Sequence, residues 1–237
     1  GKAYTLGHLI EDIAKIDEIL SIRYTTSHPL DMDLELIKAH KNIDKLMPYL
    51  HLPIQSGSDN ILKKMNRRHT ASEYLKIIEL VRKYCEDIAI SSDFIVGHPG
   101  ETNEDHKKTL DIINEVQFAS SYSFIYSERP GTKSSEFGEI VDDNIKKIRL
   151  HQIQDKLNHY QLAFNKNMEG LEFPILITDK NKNNQFLGRS PYNQTVYINE
   201  EKLPSKKYYK KLIGSMLNVK IIKSNQNSLL GSFTKNA

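Results

Sequence analysis

The order of apolar patterns along this chain predicts an α/β fold, a parallel sheet covered by helices, followed by a small all-β barrel. Three observations carry that reading. Strand-like runs alternate with helical periodicity over roughly the first two thirds, and parallel strands need such crossovers. From about Leu171 the pattern turns to short, closely spaced β-type runs separated by turn residues, as in a small barrel. The charge changes at the same place. Residues 168–237 hold 11 Lys+Arg against 5 Asp+Glu, which leaves 22 against 25 in residues 1–167. A boundary is therefore expected between 167 and 168.

Taken in order, "LGHLIEDIAKIDEIL" reads as a helix, with Leu9, Ile13, Ile16 and Leu20 at helical spacing. "SIRYTTSHP" reads as a strand closed by Pro29. "DMDLELIKAH" returns to helix through Leu34, Leu36 and Ile37, and "YLHLPIQSGS" is a second strand. "DNILKKM" and "TASEYLKIIELVRKYC" are helical, the latter opened by a capping box of Thr70 and Glu73. "IAISSDFIVGHPGE" is a third strand, and Thr102 with Asp105 caps the helix "TNEDHKKTLDIINEV". "SSYSFIYSERPGT" is a fourth strand. The long "IVDDNIKKIRLHQIQDKLNHYQLAFNKNM" is a linking helix carrying Ile145, Ile148, Leu157 and Phe164. The barrel strands are "FPILIT", "QFLGRSP", "TVYIN", "LNVKIIKS" and "SLLGSF".

Four strands do not close a barrel of eight, and the chain opens on Gly1 directly into a helix that would normally follow a strand. It is expected to be the C-terminal part of a longer polypeptide. A hydrophobic content of 38% with 27% charged residues fits a globular chain and excludes a disordered one. No apolar stretch approaches the ~20 residues that cross a bilayer, and no secretory leader is visible. A cytoplasmic monomer without a membrane partner is the expectation. The one cysteine, Cys85, excludes a disulfide framework, and a zinc or iron–sulfur site built from this chain alone. It reads as a small core residue. His28, His51 and His98 fall at strand ends, but their spacing matches no metal-ligand pattern.

The strand tails "TSHP", "IQSGS", "VGHPGE" and "YSERPGT" should share the C-terminal edge of the sheet, where α/β proteins place their sites. Glycines there permit close approach to backbone, and hydroxyl, amide and carboxylate groups offer polar contacts. The basic tail points to an anionic partner, nucleic acid first, with a solvated basic face as the alternative. Tyr192, Tyr197, Tyr208 and Tyr209 read as exposed rings for stacking on unpaired bases.

"HLPIQSGSDNILKKMNRRHT", "DFIVGHPGET" and "FIYSERPGT" resemble the radical S-adenosylmethionine (SAM) methylthiotransferases, and "GRSPYNQTVYI" with "NSLLGSF" resembles their terminal TRAM domain. "GRSPYN" favours the branch that modifies isopentenylated tRNA. The resemblance implies the C-terminal part of a radical SAM partial TIM barrel followed by a TRAM barrel. It implies methylthiolation at C2 of N6-isopentenyladenosine beside the tRNA anticodon, with SAM, 4Fe–4S clusters and tRNA as cofactors and partner. The cluster ligands of the family, a CxxxCxxC motif and three further cysteines, are absent from these residues. No catalytic residue is expected in this chain, which should be inactive alone. Relatives acting on threonylcarbamoyladenosine in tRNA or on a ribosomal protein, and a non-catalytic RNA-binding remnant, are the alternatives.

By the same resemblance, Gln55 and Ser56 contact the ribose or methionine end of SAM, Ile95 packs on its adenine, and Gly97 permits close approach. Arg67 pairs with the methionine carboxylate, or is a solvated cation at a helix end. Glu101 holds its loop by accepting backbone N–H groups, or is a first-turn helix carboxylate. "SERPGT" forms the adenine edge, with Arg129 near substrate or structural. His98 and the Arg68–His69 pair depart from the family's usual residues. Arg189, Tyr192 and Asn193 are the RNA-contact candidates, with Lys206, Lys207, Lys210 and Lys211 adding unspecific phosphate attraction.

Overall fold

A computed structural model of the chain describes residues 4–25, 28–128, 131, 138, 140–183, 185–199 and 212–234. Three parallel strands, β1 (Tyr49–His51), β2 (Ala89–Val96) and β3 (Ser120–Ile125), form one sheet in the order β1-β2-β3. Helices α1 (Leu6–Ala14), α2 (Leu34–Asn42), α3 (Asp59–Lys64), α4 (Ala71–Tyr84), α5 (Asn103–Val116) and α6 (Asp143–Lys166) accompany it. Apolar burial explains the layering. Leu50, Leu52, Ile90, Phe94 and Val96 face one side of the sheet and join the core formed with Tyr74, Ile78, Ile112 and Ile113 of the helices.

The expected first strand is reduced to a single bridge, Ile22 to Leu46. The ladder stops where the Tyr49 N–H, next in line to reach that strand, turns back to the Met47 carbonyl at 2.7 Å. The α1 helix is also shorter than its periodicity suggests. Gly7 and Ile10 are its buried residues, whereas Leu9, Ile16 and Leu20 are exposed. In α6 the buried positions are Arg149, Ile153, Leu157 and Asn165, and Ile145 and Ile148 face outward.

Local chemistry fixes the other helices as expected. Thr70 with Glu73, and Thr102 with Asp105, form reciprocal capping boxes that satisfy the first orphan N–H groups of α4 and α5. Cys85 caps the C-terminus of α4, half-buried against the core, and burial pushes its thiol pKa up.

Strands β4 (Glu172–Lys180), β5 (Gln185–Arg189), β6 (Thr195–Asn199), β7 (Met216–Ser224) and β8 (Ser228–Phe233) close a barrel in the order β4-β5-β6-β8-β7. The β6–β8 pair is parallel and the other pairs are antiparallel. Ile175, Ile177, Phe186, Val196, Ile198 and Val219 fill the interior. Closure leaves no free edge, so a five-stranded unit keeps its backbone groups paired.

Gly57 shows how tightly the loop after β1 is seated. A Cβ there would lie 2.3 Å from the Lys108 carbonyl oxygen of α5. Gly57→Ala is expected to cost about 1–3 kcal/mol by overpacking, read as a fall in the urea midpoint with unchanged slope.

Candidate functional site

Parallel register carries the ends of β1, β2 and β3 to one edge of the sheet. The loops that follow divide into two groups, those packed into helices and those facing open space. Ser56 belongs to the first group. It is fully buried, 3.3 Å from the Thr109 hydroxyl, and accepts the Ser58 N–H at 3.2 Å. Ser58 in turn donates to the Asp105 carboxylate. "QSGS" is therefore a brace between β1 and α5, and Ser56 has no free face to offer a ligand.

Gly97 and Glu101 are likewise internal. Gly97 takes φ +70, and a Cβ on it would meet Lys146 Cγ at 2.4 Å, so its close neighbour is the stem of a lysine in α6. Its N–H donates to Glu101 Oε2 at 2.7 Å. That carboxylate also receives Arg149 Nη1 at 2.8 Å. Arg149 further donates to the Glu101 carbonyl and the Asn103 side chain, each at 2.9 Å. Burial pushes the Glu101 carboxyl pKa upward, against the pull of the Gly97 N–H and the Arg149 guanidinium. The expected loop-holding bond of Glu101 is present. Its partner Arg149 was not singled out from sequence.

Gln55 too is buried: it has a left-handed backbone, φ 76, and extends the β2 pairing by one bridge to Phe94, whose side chain faces the helix core. Arg67 and Ile95 lie differently. Ile95 is half-buried on the sheet face turned away from the helix core, in register with Phe124. On that face the alternation of β1 and β2 also places His51, Ser91 and Asp93. His51 Nδ1 is 3.1 Å from the Ser91 hydroxyl, and its Nε2 is 3.6 Å from Asp93 Oδ2. Arg67 is half-buried; burial lowers its guanidinium pKa and the charge of Asp93 opposes the shift. An anionic group beside a buried guanidinium is favoured in such a setting. Sequence reasoning missed His51 and Asp93 as face residues, although the period of two in "AISSDFIV" marks Asp93 as opposite to Phe94.

His98 is buried, its ring edge-on to Tyr126 at 4.9 Å, and burial lowers its pKa. His28 and His69 meet with ring nitrogens 3.5 Å apart. Arg129 lies outside the described residues, as do Lys206, Lys207, Tyr208, Tyr209, Lys210 and Lys211. Among the described residues no group of three or more His, Cys, Asp or Glu side chains is placed to hold a metal ion.

The three RNA candidates gather at the opposite edge. Arg189, Tyr192 and Asn193 line a cavity of about 490 Å³ together with Tyr49, Ser120 and Tyr122 of the sheet and Gln161 and Asn165 of α6. The loop that carries them is built around buried Ser190. Its hydroxyl accepts the N–H groups of Tyr192 and Gln194 and donates to the Gln194 side chain. Gln194 then donates to Asn165 at 2.7 Å, and Arg23 donates to Asn193 Oδ1 at 2.9 Å. Tyr192 is half-buried edge-on to Phe164 and Phe173, so it serves the barrel core more than a stacking surface. Arg189 uses Nη1 on the Asn193 carbonyl and the Thr195 hydroxyl.

Residues 3–113 match the radical SAM superfamily, and residues 166–234 match the TRAM domain. Three relatives carry the name tRNA-2-methylthio-N(6)-dimethylallyladenosine synthase. That of Ehrlichia chaffeensis (strain ATCC CRL-10679 / Arkansas) is 49% identical over 98% of this chain and 51% of its own length. That of Ehrlichia canis (strain Jake) is 50% identical over 98% and 52%, and that of Wolbachia pipientis wMel is 47% identical over 98% and 52%. The chain spans about half the length of the curated relatives it matches. Part of a radical SAM barrel joined to a TRAM barrel defines the class. Within that class, the chain belongs to the radical SAM methylthiotransferase family.

The 4Fe–4S group that this family implies needs several thiolates around one cluster. This chain has one cysteine, and it caps α4 with its thiol pKa raised by burial. The residues present do not fit that group. No helix among the described residues is long and apolar enough to cross a membrane.

Proposed function

We propose that these residues form the SAM- and tRNA-facing portion of an enzyme that adds a methylthio group to C2 of N6-isopentenyladenosine beside the anticodon. The observation that carries the reading is identity of 47–50% over 98% of the chain to three proteins of that name. In this reading residues 1–167 are the partial barrel with its linking helix, and residues 168–237 are the RNA-binding TRAM barrel. Arg67 and Ile95 contact SAM on the open face, with Arg67 taking the carboxylate, and buried Gln55 shapes the strand tip beside them. Ser56, Gly97 and Glu101 act one layer back, by fixing the loops that shape the rim. Reduction of the sulfonium belongs to no side chain among these 237 residues.

Arg189 and Asn193 serve tRNA from the loop after β5, with Arg189 at a phosphate. The test is binding of an isopentenylated anticodon stem–loop across a salt series. Affinity is expected to fall steeply with salt, and Arg189→Gln to lower the logarithmic slope by about 1. Binding that is indifferent to salt, or absent at low salt, would remove the tRNA assignment.

A further inference from the structure

We propose that α6 is a spacer of fixed length and that Asn165 is the positioning residue that locks the RNA loop of the barrel to it. The inference rests on the tRNA reading above and adds how far the bound RNA must reach. Helix α6 runs from Asp143 to Lys166 without a glycine or proline, so nothing in its interior favours a hinge. It belongs to both cores. Ile153 and Leu157 are buried in the core shared by the sheet and its helices, whereas Phe164 packs against the barrel core with Met168. Near its start, Lys146 lies against Gly97 and Arg149 binds Glu101, so this end is fixed to the loop after β2.

Asn165 fixes the other end. It is 2% exposed, in the last turn of α6. Its Nδ2 donates to the carbonyls of Asn225 and Gln226, in the turn between β7 and β8, at 2.9 and 3.0 Å. Its Oδ1 accepts Gln194 Nε2 at 2.7 Å. Gln194 in turn accepts the Ser190 hydroxyl, inside the loop that follows Arg189 and carries Asn193. One turn earlier in α6, Gln161 Nε2 donates to the Gln226 carbonyl at 2.9 Å, and Gln226 Nε2 donates to the Asn158 carbonyl at 3.0 Å. Apolar contacts alone are non-directional and would let the barrel slide on the helix. A buried amide with its donors and acceptor paired permits one arrangement, because a shift strands polar atoms away from water. Asn165 is 16 residues beyond Arg149, which at 1.5 Å per residue sets the RNA loop about 24 Å along the helix from the loop after β2. Stacked nucleotides advance about 3.4 Å each. An RNA held at Arg189 therefore reaches the rim only when about seven nucleotides separate its two contacts.

Two measurements on the full chain test this. Spin labels at Lys107→Cys in α5 and Lys220→Cys in β7, both exposed positions, are placed in a Cys85→Ser background. Pulsed dipolar spectroscopy should give one narrow distance distribution, with and without RNA. Asn165→Leu, which leaves two carbonyls and the Gln194 amide unpaired, should broaden it. Gln161→Ala, at a half-buried site, should broaden it less and keeps both readouts should Asn165→Leu unfold. A broad distribution in the labelled parent, or one left narrow by Asn165→Leu, would overturn the clamp and leave the tRNA reading standing. In the second measurement, Asn165→Leu is expected to weaken binding of an isopentenylated anticodon stem–loop about tenfold, the loss of about one net hydrogen bond. Binding of a tetranucleotide, too short to span the two contacts, should not change. Unchanged stem–loop binding, or equal losses for both RNAs, would overturn the positioning role, since damage to the RNA loop itself does not depend on RNA length. A parent chain with narrow distances that binds neither RNA would remove the tRNA reading and the RNA role of the spacer together.

Discussion

Arg149→Ala is expected to lower the unfolding free energy by about 3–5 kcal/mol, the usual cost of breaking a buried ion pair from one side. The side chains of Arg149 and Glu101 are 6% and 1% exposed, and the N–O distance is 2.8 Å. Removing the guanidinium leaves a carboxylate in the interior with only the Gly97 N–H at 2.7 Å for company. It also frees the Glu101 carbonyl and the Asn103 side chain, each of which loses a 2.9 Å bond. Glu101→Gln should cost less, because its amide oxygen can still accept from both Gly97 and Arg149. Urea unfolding at neutral pH measures both variants. An Arg149→Ala loss below about 1 kcal/mol would mean that water replaces the guanidinium and that the pair does not hold α6 to the sheet.

That pair also marks the limit of what the sequence made visible. Elements whose causes are local were legible: Thr70 with Glu73 and Thr102 with Asp105 form the boxes their spacing implies. The five barrel strands were legible because small barrels alternate inward and outward residues, and β5 and β6 do so residue by residue. Arg149 and Glu101 are 48 residues apart and meet only after α6 has crossed the sheet. No local pattern in "IKKIRLHQIQ" separates a buried arginine from its exposed neighbours.

The candidate site was legible in its location and less so in its parts. The tips of β1, β2 and β3 do share an edge, as parallel topology requires. Loop composition could not tell a glycine kept for a ligand from one kept for packing. At Gly57 the close neighbour is the backbone of α5, and at Gly97 it is the stem of Lys146. Apolar counting also misjudged faces. Leu9 of α1 is exposed, as are Ile16 and Leu20 beyond its end, and the contact through Gly7 and Ile10 is the one that packs. The RNA candidates were chosen as surface groups, yet the "GRSPYN" loop spends much of its polarity on itself and on α6.

Stability should fall by about 3 kcal/mol through His40 alone as the pH drops from 6.5 toward 4. His40 is 8% exposed in the last turn of α2, with Nε2 2.7 Å from the Tyr24 hydroxyl. Burial pulls its pKa down to about 4, against a weaker opposing backbone contact at Met47. A helix C-terminus favours a cation by only about 0.3–1 kcal/mol, so burial wins and the folded ring stays neutral. The unfolded ring protonates below about 6.5. A depressed folded pKa gives stability that is complete above the unfolded value and is lost as the pH falls to the folded one. His69, His98 and His106 are shifted the same way by burial and add to the acid loss. Chemical denaturation at intervals between pH 7 and pH 4 measures the slope. His40→Gln should start less stable at pH 7 and lose less on acidification. A variant whose slope matches that of the parent chain would show that His40 is not the group whose charging unfolds the protein.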